Sequence, residues 1–163
     1  MSFDEKKRSK YEETAHHYVI DLYSNIAREN NVTITDWRIP EDPYSTWDMS
    51  CTIDGKVTYM ENKTRSDEYH FNDLKDKGFY LSAKKNDGTN TLFNYLFPED
   101  NIIMITNSNK LKDYKPLKTK VRHKAQCDPE SPEAEIDNYI LPYKAFWSFQ
   151  IEPYKLINKP TRI

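Results

Sequence analysis

The chain has 163 residues, a length that suits one ordinary domain and leaves little room for two. Hydrophobic residues make up 37% and charged residues of both signs 31%, proportions that exclude an intrinsically disordered protein. The net charge of −2 excludes a global positive field that could hold nucleic acid by itself, so such binding has to depend on local patches or on bound metal.

The cysteine content and the N-terminus indicate the compartment. Cys51 and Cys127 lie far apart and form no C-x-x-C pair, which argues against a disulfide framework or a thiolate zinc site. The N-terminal sequence has no apolar signal segment, and no window is apolar over the length needed to cross a bilayer. The sequence therefore predicts a soluble intracellular protein, cytoplasmic and without membrane contact.

The first predicted element is an amphipathic helix over residues 9–30, because apolar side chains recur there at three- and four-residue steps. Ser9, with Glu12 three positions later, has the capping-box pattern that marks a helix start. Residues 30–40 then contain the β-branched and aromatic residues typical of a short strand. Two prolines interrupt regular pairing, so a loop is predicted as far as Ser45.

A β-hairpin is predicted over residues 49–53 and 56–63. The connecting Asp54-Gly55 pair favours a type I′ turn, which needs positive φ at both central residues. If the turn has no bulge, the strand register places Asp48 opposite Glu61.

This register concentrates charge on one face of the hairpin. Lys63 lies on the same side as Asp48 and Glu61, whereas Met49 and Met60 point to the other side. Two like charges opposed across a strand pair are destabilising by themselves and favour a compensating cation. Mg²⁺ binds carboxylate oxygens and waters and leaves positions for a phosphate. Lys63 is suited to holding a water or stabilising charge on that phosphate.

The elements that follow are less regular. A second helix is predicted over residues 71–85, ended by the Asn86-Asp87-Gly88 turn. Strands are predicted over residues 91–97 and 102–106. Near the C-terminus, alternation of Trp147, Phe149 and Ile151 with polar residues predicts a half-buried strand, and the acidic stretch before it is predicted to be a linker or the approach to a short helix.

A basic run occupies residues 110–124 and reverses the overall charge. This run either is a solvated surface or forms a strip that contacts nucleic-acid phosphates without reading the base sequence. Its seven basic residues are Lys110, Lys112, Lys115, Lys118, Lys120, Arg122 and Lys124.

The order helix, strand, strand with Asp48, strand with Glu61-Asn62-Lys63, helix and strand resembles the core of the PD-(D/E)XK nuclease superfamily, across about residues 11–106. The later residues resemble small phage-type members. The resemblance implies a restriction-endonuclease-like α/β core with a central mixed β-sheet flanked by helices. It also implies Mg²⁺-dependent hydrolysis of DNA, with Mn²⁺ as a substitute. In that scheme Asp48 and Glu61 are metal ligands and Lys63 is the catalytic lysine, although Trp47 stands where the named pattern has proline.

Members of this superfamily often add an acidic residue from the first helix. On a helical projection Glu12 falls beside the apolar stripe, so the resemblance implies it as a further metal ligand. As the last residue of the capping box it would instead bond to the Ser9 amide. We expect one nuclease-like domain over residues 1–163, with a core at about 9–107 and a basic and aromatic extension at 108–163.

Two other hypotheses remain open. The first is a non-catalytic module on the same fold, which uses residues 110–124 to bind nucleic acid or the C-terminal aromatic residues to bind a protein. The second is a solvated salt-bridge surface on an unrelated α+β fold. For the nuclease hypothesis the expected partners are DNA and a second copy or partner subunit, and the family likeness suggests a phage protein made in a bacterial host.

Overall fold

The structure is a computed structural model that describes residues 3–42, 45–64, 70–86, 88–121 and 134–160. Side chains are described in these ranges except at 3–12, 14, 120–121 and 134–135. The fold is α/β, with a mixed seven-stranded sheet, a three-stranded sheet and few helices. None of the helices described is long and apolar enough to cross a membrane.

The helices are α1 (Phe3–Asn30), α2 (Phe71–Lys77) and α3 (Ser108–Leu111). The larger sheet has the spatial order β1 (Ile34–Arg38), β2 (Met49–Ile53), β3 (Lys56–Thr64), β5 (Thr91–Phe97), β6 (Ile102–Asn107), β9 (Trp147–Gln150) and β10 (Leu156–Asn158). The smaller sheet has the order β4 (Phe79–Ser82), β8 (Ala134–Leu141) and β7 (Leu117–Val121). Strands β3 and β5 are parallel, and the other pairs are antiparallel.

Helix α1 begins at Phe3, so the predicted start at Ser9 is wrong. The residues before Ser9 are mostly charged and straight-chained, and such residues propagate a helix without needing a cap at this point. The predicted apolar stripe is confirmed at Ala15 and Leu22, which are both buried. The helix ends as predicted at Asn30, and the next residue, Asn31, has a left-handed φ of 53°.

The hairpin has the predicted turn and register. Asp54 and Gly55 have φ values of 46° and 81°, as a type I′ turn requires. Met49 pairs with Met60, and both side chains are completely buried against α1. The hairpin is therefore fixed in place by its apolar side.

The predicted helix over residues 71–85 is wrong beyond Lys77. Gly78 has a φ of 100°, which ends the helix, and β4 follows. A Cβ at position 78 would lie 2.5 Å from Cγ2 of Ile140, so β8 passes too close for a side chain. In β4 the buried Phe79 and Leu81 alternate with more exposed residues, and a period of two is that of a strand. Most of the predicted acidic linker or approach to a short helix lies outside the described residues, and only its last two residues, 134 and 135, are in β8.

Three layers form the core. On one face of the larger sheet, α1 covers residues such as Leu96 and Ile103. On the other face, the smaller sheet packs against Tyr95 and Phe97 of β5. The predicted strands at residues 91–97 and 102–106 are thus confirmed and central.

The predicted C-terminal strand is confirmed as β9, but its polar positions are not all exposed. Ser148 is fully buried, whereas Trp147 and Phe149 are only half-buried. The burial of Ser148 is possible because its hydroxyl is hydrogen-bonded to the Tyr143 hydroxyl at 2.6 Å.

Candidate active site

Asp48 lies one residue before β2, at a bend, and is fixed by two hydrogen bonds to β3. Its backbone N–H donates to the Met60 carbonyl at 2.9 Å. Its Oδ2 atom accepts the Asn62 backbone N–H at 2.8 Å. Because Asp48 is outside the paired strand, strict alternation of faces does not apply to it, and its carboxylate turns to the edge of β3. It thereby satisfies an amide that β2 is too short to reach.

Glu61 directly precedes Asn62 in β3, and its side chain is only 13% exposed. Its Oε1 atom lies 2.9 Å from Nζ of Lys85. Burial, and then the negative charge of Asp48, raise the pKa of Glu61 from 4.5. The ammonium groups of Lys85 and Lys63 act in the opposite direction. The Asp48 carboxylate is therefore near enough to affect the ionisation of Glu61.

Lys63 follows Asn62 and lies on the side of the sheet that faces β4. Its Nζ atom donates to the Tyr80 carbonyl at 3.4 Å and lies 5.8 Å from the centre of the Tyr95 ring. The Tyr95 hydroxyl donates to the same carbonyl at 2.9 Å. An ammonium over an aromatic face is attracted to it, so these contacts restrict the position of Lys63.

Lys85 is a site residue that the sequence analysis missed. It ends a 3-10 turn, Ala83–Lys85, that directly follows β4. No sequence pattern links it to Glu61, because the contact depends on where β4 leaves the smaller sheet. Lys85 and Glu61 are both part of the Glu61 groove, a depression of about 220 Å³ lined by Thr46, Trp47, Tyr59, Glu61, Lys85 and Thr89. Asp48 instead lines a smaller depression on the far side of Trp47, beside His16 of α1.

A buried chain of polar side chains supports the middle of the Glu61-Asn62-Lys63 segment. The Tyr23 hydroxyl of α1 donates to Oδ1 of Asn94 at 2.7 Å. The Asn94 amide donates in turn to Oδ1 of Asn62 at 2.8 Å. Asn94 is completely buried, and burial raises the Tyr23 pKa well above 10.0, so this hydroxyl stays neutral. In the sequence, the only indication of this hydrogen-bonded chain is Asn94, an asparagine within the mostly apolar strand β5.

Asp48 and Glu61 offer the oxygen ligands that a hard divalent cation prefers. No cluster of three or more His, Cys, Asp or Glu side chains suited to a metal occurs among the residues described. Mg²⁺ is commonly bound through one or two carboxylates, with waters and substrate phosphates as the other ligands, so two carboxylates are as many as such a site needs. Position 12 belongs to α1, but the Glu12 side chain lies outside the described residues.

No family model, curated protein or solved structure matches this chain. The similarity to the PD-(D/E)XK nucleases therefore rests on Asp48, on the Glu61-Asn62-Lys63 segment and on the order of the elements around them.

The basic run is divided between different elements. Lys110 is in α3, Lys112 and Lys115 are in the loop that follows, and Lys118 is in β7. The Lys120 side chain, Arg122 and Lys124 lie outside the described residues. Lys118 pairs across the smaller sheet with Asp137, whose charge opposes its own. The described lysines thus do not all project from a single helix or strand.

Proposed function

We propose that the protein is a Mg²⁺-dependent nuclease that hydrolyses phosphodiester bonds of DNA, with Mn²⁺ as a substitute metal. One observation carries the proposal. The Asp48 carboxylate accepts a hydrogen bond from the Asn62 backbone amide. Two carboxylates, of Asp48 and Glu61, and the Lys63 ammonium are thereby held at three consecutive residues of β3. A mostly buried carboxylate with a raised pKa, beside a second carboxylate, is typical of a functional site.

The topology supports a restriction-endonuclease-like core. A long first helix precedes β1, the hairpin follows, and β3 leads through α2 to its parallel neighbour β5. The arrangement differs from a simple strand-helix-strand unit, since β4 lies within this connection and belongs to the smaller sheet. The polar residues of the proposed active site lie near the end of β3, where the connection to β5 begins.

In the proposed mechanism Asp48 and Glu61 would hold the metal ion. Bound there, Mg²⁺ would supply Lewis-acid catalysis and make a water a better nucleophile. A carboxylate can accept several bonds, so Asp48 can retain its bond to the Asn62 amide. Lys63 then stabilises negative charge on the phosphate or orients the attacking water. Lys85, which is paired with Glu61, would have to release that carboxylate for a cation to bind it.

The first test combines Mg²⁺ calorimetry with a plasmid nicking assay. The wild type should bind metal saturably and nick DNA, and the double variant Asp48→Asn/Glu61→Gln should do neither. Lys63→Ala should bind metal but not cleave, whereas Lys77→Ala, a substitution of an exposed lysine in α2, should behave as wild type. Cleavage at wild-type rate by Lys63→Ala or by the double variant would contradict the proposal.

A homodimer or a partner subunit would allow both DNA strands to be cut. Sedimentation of the protein with and without DNA measures this directly. A monomer that nicks one strand would restrict the proposal to single-strand cleavage.

A non-catalytic nucleic-acid-binding or protein-interaction module is the second candidate, and the Glu61–Lys85 ion pair favours it. At 2.9 Å, Lys85 already neutralises the carboxylate that a metal would need. This candidate requires that wild type bind no Mg²⁺ or Mn²⁺ even when DNA is present. Saturable metal binding that depends on Glu61 would exclude it.

A further inference from the structure

A second groove, with a basic lining, adjoins the Glu61 groove at Thr89. We call it the Lys56 groove; it is lined by Lys56, Thr89, Asn90, Ser108, Asn109 and Lys112, and its volume is about 520 Å³. Among the described residues that line it there are two lysines and no carboxylate. The other lining side chains named here end in amides or hydroxyls, which can donate hydrogen bonds.

Local hydrogen bonds fix both lysine-bearing segments. Lys56 is the first residue of β3, directly after the type I′ turn. Beside it, the Asn90 amide donates to the Thr58 hydroxyl at 3.1 Å. Lys112 directly follows α3, whose first turn is capped by Asn107 through a 2.8 Å bond to the Lys110 amide. The side chains of Lys56 and Lys112 are exposed at these fixed positions.

The Lys56 groove adjoins the candidate active site. Thr89 lines both this groove and the Glu61 groove. Lys56 and Glu61 are both in β3, five residues apart in the sequence, which corresponds to about 16 Å at the rise of a strand. A DNA strand advances about 3.4 Å along the helix axis per nucleotide, so this distance spans several phosphates.

We infer that the Lys56 groove binds the phosphodiester backbone of the nucleic-acid substrate, with Lys56 and Lys112 each contacting a phosphate. The inference rests on the proposed function. Ammonium groups neutralise phosphates, and neutral amide and hydroxyl donors such as Asn109 add hydrogen bonds to phosphate oxygens. The inference separates Lys112 from the rest of the basic run and adds Lys56, which lies outside that run.

The test measures oligonucleotide binding by fluorescence anisotropy in EDTA over a series of salt concentrations. In the Lys56→Gln/Lys112→Gln variant, two lost phosphate contacts should reduce the slope of log K against log[salt] by about 1.8 for duplex DNA or about 1.4 for a single strand. The control variant Lys77→Gln/Lys144→Gln removes two exposed lysines that neither line the groove nor belong to the basic run. It should keep the wild-type slope.

Three results would overturn the inference: an unchanged slope in the groove variant, an equal decrease in both variants, or a wild type that binds neither DNA nor RNA at low salt. Parallel measurements with DNA and RNA of one sequence identify which backbone is bound. The groove variant should retain wild-type Mg²⁺ binding and wild-type stability to urea.

Failure of this inference and failure of the proposed function give different results. If wild type cleaves DNA in a metal-dependent way and the groove variant keeps its salt slope, only the groove assignment fails. If Asp48→Asn/Glu61→Gln cleaves as wild type while the groove variant loses slope, the catalytic assignment fails and the groove stands.

Discussion

The Asp48 carboxylate and the Asn62 backbone amide form a 2.8 Å hydrogen bond that joins the bend before β2 to the middle of the Glu61-Asn62-Lys63 segment. Asp48 thus has a structural role that is independent of any metal. Its structural and chemical roles can be separated by substitutions that keep or remove an oxygen acceptor.

Asp48→Asn and Asp48→Ala should differ in stability but not in activity. Asparagine keeps an oxygen that can accept the Asn62 N–H, whereas alanine leaves this partly buried donor unpaired, a loss of about 1 kcal/mol in the free energy of unfolding. Both remove the negative charge and should abolish metal binding and cleavage. Urea denaturation and calorimetry on the two variants measure these effects, and equal destabilisation by both substitutions would show that the bond contributes little.

Tyr23→Phe should destabilise the protein by about 1 to 3 kcal/mol, because it leaves Oδ1 of the buried Asn94 without its donor. Tyr80→Phe is the matched control, since Tyr80 is 40% exposed. The midpoint of urea denaturation should fall for the first variant at an unchanged m-value and stay near wild type for the second. Equal midpoints for the two variants would contradict the importance of the buried chain.

Lys85→Gln should tighten Mg²⁺ binding several-fold at neutral pH. The substitution removes a cation that lies 2.9 Å from Glu61 and competes with the metal for the carboxylate. Lys84→Gln, at an exposed neighbouring position, is the control and should leave the affinity unchanged. Calorimetry gives both affinities. Weaker metal binding in Lys85→Gln would mean that Lys85 holds Glu61 in position rather than competing for it.

The raised pKa of Glu61 should be visible in the pH dependence of both stability and metal binding. Because the folded-state pKa exceeds 4.5, the stability from this group is fully present below the unfolded-state pKa and is lost as pH rises through the folded-state pKa. Wild type should therefore lose stability relative to Glu61→Gln as pH increases through that interval.

Metal binding should change in the opposite direction, because protons compete for the carboxylate. Mg²⁺ affinity should fall as pH is lowered through the folded-state pKa of Glu61. Urea denaturation and calorimetry over the same pH series measure the two effects. A difference in stability between wild type and Glu61→Gln that is constant with pH would contradict the raised pKa.

Gly78→Ala should be more destabilising than Gly88→Ala. Both glycines have positive φ, but a Cβ at position 78 would lie 2.5 Å from Ile140, whereas nothing lies within 4 Å at position 88. The clash should add about 1 to 3 kcal/mol to the conformational strain that both variants share. Thermal or urea denaturation of the two variants gives the difference directly, and equal losses would show that β8 can move away from Gly78.

The hairpin could be predicted from the sequence because its information is local. The Asp54-Gly55 turn sets the register, and a period of two sets the faces, so the structure confirms the pairing of Ile53 with Lys56. The same reasoning predicted Asp48 directly opposite Glu61. In the structure Asp48 instead lies before the paired residues of β2 and bonds to the Met60 carbonyl and the Asn62 amide, because the bend before β2 is set by its surroundings.

Strand β4 could not be predicted in the same way. Leu74, Gly78 and Leu81 have helical spacing, but Phe79 pairs with Leu141, more than sixty residues later in the chain. When a local pattern is compatible with both a helix and a strand, pairing with a partner strand decides which of them forms. The local sequence does not reveal that partner. Lys85 was missed for the same reason, since it follows this strand.

The long-range pairing of β4 also has a consequence for protein synthesis. Strand β4 pairs with β8, and Asn86, next to Lys85, donates a hydrogen bond to the Tyr139 hydroxyl at 3.0 Å. The contacts that hold Lys63 and Lys85 therefore cannot be completed until Ala134–Leu141 has emerged from the ribosome. A nascent chain therefore carries Glu61, Asn62 and Lys63 long before the strand that fixes β4 beside them has been made.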